Sequence, residues 1–228
     1  MDAFGAEIKT RKRRPEMDIM IRHETEKDFR DVEELTREAF WNLYVPGCNE
    51  HYLIHQMRNH PDFIKELDFV AEYNGKIVGN IMYTIAWLIN ENGQEKEIIS
   101  FGPLSVLPEY QRQGIGSSLI SHTIKIALKK GIKMIVILGD PHNYCKHGFK
   151  NGKDLNISDM NGEYPYGLLA LELEEKVLEE HKWKFKYSDV FNINAEDADR
   201  FDRSFERKEK GYKYSQDIFS IAFRSYVK

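Results

Sequence analysis

Val106-Leu107-Pro108-Glu109-Tyr110-Gln111-Arg112-Gln113-Gly114-Ile115-Gly116-Ser117 joins two runs of different period. Before it, residues 98–106 are apolar and strand-like; after it, residues 117–130 repeat apolar side chains at helical spacing. Pro108 has no N–H and stops a strand ladder. A strand that ends in a glycine-bearing loop and feeds a helix aims backbone N–H groups and the positive end of the helix dipole at one spot, and that geometry suits a phosphate. Two common phosphate loops are excluded. No G-K-[ST] triplet is present, as a nucleoside-triphosphate loop requires. Gly114-x-Gly116 lacks the third glycine of the dinucleotide pattern. What remains is Q-x-x-G-x-G between a strand and a helix.

On the N-terminal side, Asn74-Gly75 lies between the apolar runs 68–73 and 76–88, the strongest short-range hairpin signal. Asn92-Gly93 repeats it before residue 98, so three antiparallel strands in series are predicted, the last ending at Val106. Residues 18–22 read as a first strand. A helix is predicted from Thr25, with Asp28 completing a capping-box-like pair and Phe29, Val32, Leu35, Ala39 and Phe40 on its core face. A second helix is expected over 49–59. On the C-terminal side, the helix after the loop should bury Leu119, Ile120, Ile124, Ala127 and Leu128 and end at Gly131. Residues 133–138 read as a buried parallel strand, which makes 98–138 a right-handed βαβ crossover. Beyond Phe149 a polar loop is expected over 150–163 and a strand over 168–173. Residues 182–187 read as an edge strand or exposed arm. A charged helix is predicted over 195–210, capped by Asn194, with apolar alternation in 218–227.

A second motif follows the crossover: Gly139-Asp140-Pro141-His142-Asn143-Tyr144-Cys145-Lys146-His147-Gly148-Phe149. Together with Leu104-x-Val106-x-Pro108 and Gln111-x-x-Gly114-x-Gly116, it resembles the GNAT superfamily of N-acyltransferases, and within it the YhbS-like acetyltransferases, over about residues 17–150. The resemblance implies an α/β (α+β) fold with a mixed, mostly antiparallel sheet, helices on both faces and a splayed parallel strand pair. It implies acetyl-CoA as cosubstrate. The pyrophosphate would sit on Gln111, Arg112, Gln113, Gly114, Ile115, Gly116 and Ser117, with Arg112 and Gln113 adding charge and donors from the rim. Gln111 stands where many relatives carry Arg. The backbone at Leu104, Ser105 and Val106, with Asn143, would bind the pantetheine arm. Tyr144 would be the general acid for the leaving thiolate, since a phenol is protonated at neutral pH. Glu72, Glu97, Glu50 and His51 are candidate bases, none singled out by spacing.

The implied activity is acetyl transfer to a primary amine by direct attack in a ternary complex; a non-catalytic acyl-CoA-binding regulatory module is the alternative. Composition agrees with a globular chain: 228 residues, 41% hydrophobic, 31% charged, net charge −4. That balance argues against a global nucleic-acid surface, and no apolar run is long enough for a membrane span. Two cysteines without metal-like spacing suit a reduced, cytoplasmic protein. His51 and His55 share a helix face but have no third ligand, so no metal is expected; Cys145 and His147 form no metal pattern. Residues 1–16, with five basic residues in the six from Lys9 to Arg14, are expected to be a disordered arm. The acyltransferase domain would span 17–175, and 176–228 would be an extension packed on or beside it. A homodimer is left open, and the acceptor amine is not encoded in any recognised motif.

Overall fold

A computed structural model describes residues 17–228; the arm expected at 1–16 lies outside the described residues. Asn74 and Gly75 both take positive φ, 51° and 77°, as a two-residue hairpin turn requires. β2 (Phe69–Tyr73) therefore folds straight back as β3 (Lys76–Asn90). β3 turns again into β4 (Glu95–Val106). This second turn differs from the expected repeat. Only Gly93 has positive φ (78°), and the Asn90 side chain organises the loop by accepting the N–H groups of Asn92 (3.0 Å) and Gln94 (2.9 Å). β1 (Met20–His23) pairs antiparallel with β2. Thr25 makes its predicted capping box with Asp28, but the box opens a short 3₁₀ turn that leads into α1 (Phe29–Phe40). α2 (Glu50–Met57) follows.

After the loop, α3 (Ile115–Lys129) crosses to β5 (Met134–Leu138), parallel to β4. Leu119, Ile120 and Ala127 are buried as predicted, together with Ile115 and Thr123, whereas Leu128 is exposed. Gly79 and Asn80 show the layering, because neighbours in a strand point to opposite faces. A Cβ on Gly79 would meet Ile115 and Leu119 of α3, while Asn80 meets Thr36 of α1. Helices thus cover both faces of a mixed, mostly antiparallel sheet.

The chain continues through α4 (Pro141–Tyr144), β6 (Lys150–Asn151), β7 (Ile157–Ser158), β8 (Leu168–Glu172), β9 (Trp183–Lys186), α5 (Ala195–Asp202) and α6 (Tyr214–Phe223). The sheet runs β1-β2-β3-β4-β5-β8-β6, with β9 joining β3 and β7. Several expectations are corrected. Residues 150–163 are not plain loop but carry β6, a 3₁₀ turn and β7. β9 is not an exposed arm: it pairs with the half of β3 that β2 leaves open and buries Trp183 and Phe185, while its lysines alternate outward.

The charged helix capped by Asn194 stops at Asp202, because the following residues find better partners on α1. The Arg30 guanidinium lies 3.5 Å over the Phe205 ring and donates to Ser204 O at 2.8 Å. Trp41 Nε1 donates to Glu209 O at 3.0 Å, and Gly211 N donates to Asn42 Oδ1 at 3.0 Å. Residues 203–213 therefore form an extended strap across α1 and the α1–α2 loop. The apolar alternation expected near the C-terminus is instead α6, since the cluster of Ile218, Phe219, Ile221, Ala222 and Phe223 fits a helix as well as a strand.

The strap is anchored at a buried junction. Asp202 accepts from Arg37 Nε (2.6 Å) and Nη2 (3.2 Å), and its Oδ1 lies 3.1 Å from His51 Nε2. Cys48 Sγ lies 3.5 Å from His51 Nδ1. Burial lowers the His51 pKa from 6.5 to about 4, outweighing the pull of Asp202, whose charge Arg37 already neutralises. A histidine depressed on folding stabilises the fold above its unfolded pKa, and that contribution is lost as pH falls from 6.5 toward 4. Stability should drop by about 2–3 kcal/mol over that window. The check is thermal melting at stepped pH beside His51→Gln, whose curve should be flatter there; parallel curves would assign the loss elsewhere.

Candidate functional site

Gly114 caps α3 with φ of 92°, a conformation that disfavours other residues. The helical ladder begins with Ser118 N–H to Gly114 O at 2.9 Å, so the N–H groups of residues 112–117 precede it and have no helical acceptor. Two glutamines shape the loop. Gln111 Nε2 donates to Val106 O (3.0 Å) and Gln113 Nε2 to Glu109 O (2.9 Å). Both amides fold back onto the backbone. Arg112 is exposed, and its Nη1 lies 3.4 Å from His142 Nε2, which brings this cation beside α4. Gly116 seats the helix on β4: a Cβ there would lie 3.6 Å from Leu104 and 3.8 Å from Val106.

β4 and β5 share a single register pair, Ile99 with Ile135. Past that pair, β4 keeps β3 on one edge while β5 diverges. The split coincides with a bulge. Ile81 faces Leu104 and Tyr83 faces Phe101, so Met82 opposes both Gly102 and Pro103. Ser105 is fully buried, with its hydroxyl 3.0 Å from Thr36 Oγ1; Leu104 and Val106 are half-buried on the α3 side. The bulge escaped prediction. Its signal was Gly102-Pro103 inside an otherwise continuous strand, since a proline there cannot serve the ladder.

Tyr144 enters the split from α4. Asp140 caps that turn, its Oδ1 accepting His142 N at 3.0 Å. The Tyr144 ring lies on Gly139, where a Cβ would fall 2.4 Å from Cε2, and packs on Phe101 (5.6 Å) and Phe149 (6.0 Å). Gly148, with φ of 92°, turns Phe149 back toward the ring. Burial pushes the Tyr144 phenol well above its ordinary range, and the nearby Tyr44 and Asp140 raise it further. Asn143 is exposed in the same turn. The neighbouring Tyr83 hydroxyl is taken by Thr123 at 2.7 Å.

Tyr44, from the α1–α2 loop, completes this corner. It stacks on Phe219 of α6 at 4.5 Å and on Phe40 at 5.8 Å. Burial and the charges of Glu50 and Asp140 raise its phenol to about 12. Burial also raises the Glu50 carboxyl, which accepts Asn49 N at 3.0 Å. Of the four candidate bases, Glu50 alone is placed at this corner. Glu72 is paired to Arg22 at 2.9 Å on β2, Glu97 is exposed and faces Trp87 across the ladder, and His51 is locked against Asp202. His51 and His55 share a face, both rings lying against Phe201 at 5.5 and 4.5 Å, but they hold different partners: His51 is fully buried, and His55 pairs with Glu33 at 2.9 Å. Among the described residues, no group of three or more His, Cys, Asp or Glu could hold a metal.

Residues 35–149 match the model of the Acetyltransferase (GNAT) family. The chain is 32% identical to the uncharacterized N-acetyltransferase YjhQ of Escherichia coli (strain K12) over 129 residues, 56% of this chain and 68% of that protein. It is 26% identical to YhbS of the same strain over 133 residues, 58% and 74% of the two chains. The crystal structure of E. coli YhbS in complex with CoA has a TM-score of 0.67 at 21% identity, covering 79% of this chain and 95% of that one. A GNAT family acetyltransferase from Brucella melitensis, in complex with acetyl-CoA, has a TM-score of 0.60 at 24% identity, covering 76% and 97%. Both share the fold.

The glycines at the two ends of the site should respond differently to a methyl group. Gly139→Ala must displace the Tyr144 ring and should cost about 1–3 kcal/mol, whereas Gly116→Ala meets only ordinary contacts. Urea unfolding of the two variants checks this, and equal midpoints would refute the Gly139 cradle.

Proposed function

The chain belongs to the Acetyltransferase (GNAT) family, and we propose that it moves an acetyl group from acetyl-CoA to a primary amine by direct attack in a ternary complex. The observation that carries this reading is the open edge of β4 between the Gly114 loop and Tyr144. It offers strand-like hydrogen bonds to an extended, amide-bearing arm, with a phosphate cradle at one end and a buried phenol at the other. The N–H groups of residues 112–117 and the Arg112 guanidinium would hold the pyrophosphate. The backbone of Leu104, Ser105 and Val106, with Asn143, would hold the pantetheine arm. A backbone donor near Val106 would polarise the thioester carbonyl. The solved relatives that carry CoA and acetyl-CoA support the same cosubstrate.

The amine nitrogen attacks the carbonyl carbon as the carbon–sulfur bond breaks, and Tyr144 donates its proton to the departing thiolate. Burial keeps that phenol protonated through the neutral range. The amine must be neutral to attack. The Glu50 carboxyl, raised by burial, is the group at this corner best able to take its proton. Glu50 and Asp140 accept backbone N–H groups and enter no ion pair among the described residues. The corner is therefore acidic and aromatic, a setting for a cationic amine. Most of the rate would come from positioning. The described helices include none long and apolar enough to cross a membrane, and the free thiols Cys48 and Cys145 support a reducing, cytoplasmic setting.

Tyr144→Phe tests the chemistry. Turnover, read as thiol release from acetyl-CoA with a panel of amines, should fall roughly 10²-fold or more. Acetyl-CoA affinity by calorimetry should stay nearly unchanged. Undiminished turnover would remove Tyr144 from its role, and absence of acetyl-CoA binding by the native chain would remove the whole reading.

A further inference from the structure

The α1–α2 loop buries its base and exposes its tip. Asn42 and Gly47 are buried, Leu43 and Tyr44 are half-buried, and Val45 and Pro46 are exposed. The base is closed twice: Asn42 N donates to Gly47 O at 2.9 Å, and Gly47 N donates to Asn42 Oδ1 at 2.7 Å. Asn42 takes φ of 59° and Gly47 takes 82°, a region that asparagine and glycine enter more readily than other residues. Residues 43–46 therefore stand out from a fixed base. Their one aromatic, Tyr44, comes within electrostatic reach of Tyr144, Glu50 and Asp140.

The Asn42 side chain also reaches beyond its own loop. Its Oδ1 accepts Gly211 N at 3.0 Å, and its Nδ2 donates to Glu209 O at 3.2 Å. Both acceptor positions of the amide oxygen are thus filled, one by the loop and one by the strap. The Asn42 carbonyl accepts Gln216 Nε2 at 3.1 Å, and Ser215 Oγ donates to Leu43 O at 2.8 Å. Lys210 packs on the other end of the base, since a Cβ on Gly47 would lie 3.0 Å from its Cε. The tip rests on α6 through the stack of Tyr44 on Phe219. Residues 209–219 thereby hold the loop at its base, along its backbone and under its aromatic tip. Joining α1 to α2 requires none of these bonds, and surface loops are ordinarily mobile. The bonds remove that freedom from the loop that carries Tyr44, and they reach neither β4 nor the Gly114 loop.

We propose that Asn42 is a positioning residue for the acceptor: with residues 209–219 it fixes where Tyr44 stands, and so which amines the corner admits. The proposal rests on the acetyl-transfer reading and deepens it by separating the two specificities. The tail would select the amine, while β4 and the Gly114 loop hold the acyl donor.

Steady-state thiol release from acetyl-CoA by the full chain tests it, with phenethylamine, n-butylamine and spermidine as probe amines. Asn42→Asp keeps the volume and the acceptor oxygen but sets a second carboxylate oxygen against the Glu209 carbonyl. The KM of the amines should rise roughly tenfold or more, and the ratio of kcat/KM between phenethylamine and n-butylamine should change about fivefold or more. Acetyl-CoA affinity by calorimetry should stay within about twofold. Phe219→Leu leaves every bond of Asn42 in place and should shift the same ratio, so it decides the matter if Asn42→Asp fails to fold in a thermal melt. A purely structural role would lower all amines by one factor. An unchanged ratio in the folded variants, or acetyl-CoA affinity falling as far as the amine terms, overturns the proposal and leaves the acetyl-transfer reading standing. No thiol release by the native chain with any amine removes that reading, and the role of Asn42 falls with it.

Discussion

A central strand that keeps a partner on only one edge is the constraint around which this molecule is arranged. Backbone N–H and C=O groups that lose their ladder must find other partners, water or a ligand. β4 leaves β5 after a single registered pair, so an open edge runs through the middle of the sheet. Such a split closes or frays unless each wall is held from its far side. β3 holds β4 along nearly its whole length, from Glu95 to Val106, and β8 holds every residue of β5. The bulge at Gly102 and Pro103 sets the direction of the split, and Pro103 removes one N–H that would otherwise seek the missing partner. Gly116 then lets α3 approach β4 closely enough to bring the helix N-terminus to the mouth of the gap.

Holding β3 is in turn the work of the C-terminal residues. β2 covers only the first part of its outer edge, and β9 covers Trp87 to Asn90. The strap and α5 clamp α1 and α2 through Asp202, Arg37 and His51. On the opposite flank Arg58 is buried between Glu24 and Glu33, at 2.8 Å from each. Asp68 sits beside that pair with its carboxyl raised well above the usual carboxylate range by burial and by Glu24. Removing one member of such a network leaves an uncompensated buried charge, which costs more than the intact network contributes. These ionic groups fix where α1, α2 and β2 sit relative to one another.

What the sequence made legible was local. Asn74-Gly75 needs two positive φ values, and Pro108 ends a strand. Each rule acts within a few residues, and each placed its element correctly. Tyr144 was singled out differently, by resemblance, through its offset from Gly148 and Phe149 in the second motif. Apart from the Asn92-Gly93 turn and the bulge at Gly102-Pro103, the failures were tertiary. The helix predicted over 195–210 lost its second half because Arg30, Trp41 and Asn42 offer residues 204–211 partners that a helix would not. Leu128 fitted the apolar period of α3 yet stays exposed, since the period does not say where the sheet ends. Tyr44 comes within electrostatic reach of Glu50 and of Tyr144, the latter a hundred residues away in the chain, and no local pattern announces that approach.

This contrast follows from what each half of the site is made of. The half that would hold the acyl donor consists of backbone: N–H groups before a helix, an open strand edge, glycines that permit close approach. Backbone geometry depends on glycine and proline at fixed spacing, so it is written in contiguous motifs. The half that would face the acceptor consists of side chains from the α1–α2 loop, α4 and α6, brought together by packing. Each can change without disturbing the strand edge, because none of them serves the ladder. A fold divided in this way can keep one donor while its acceptor varies. The aromatic stack of Tyr44 on Phe219 is then where this chain departs from a generic scaffold, since it ties the acceptor corner to a helix that the donor site does not need.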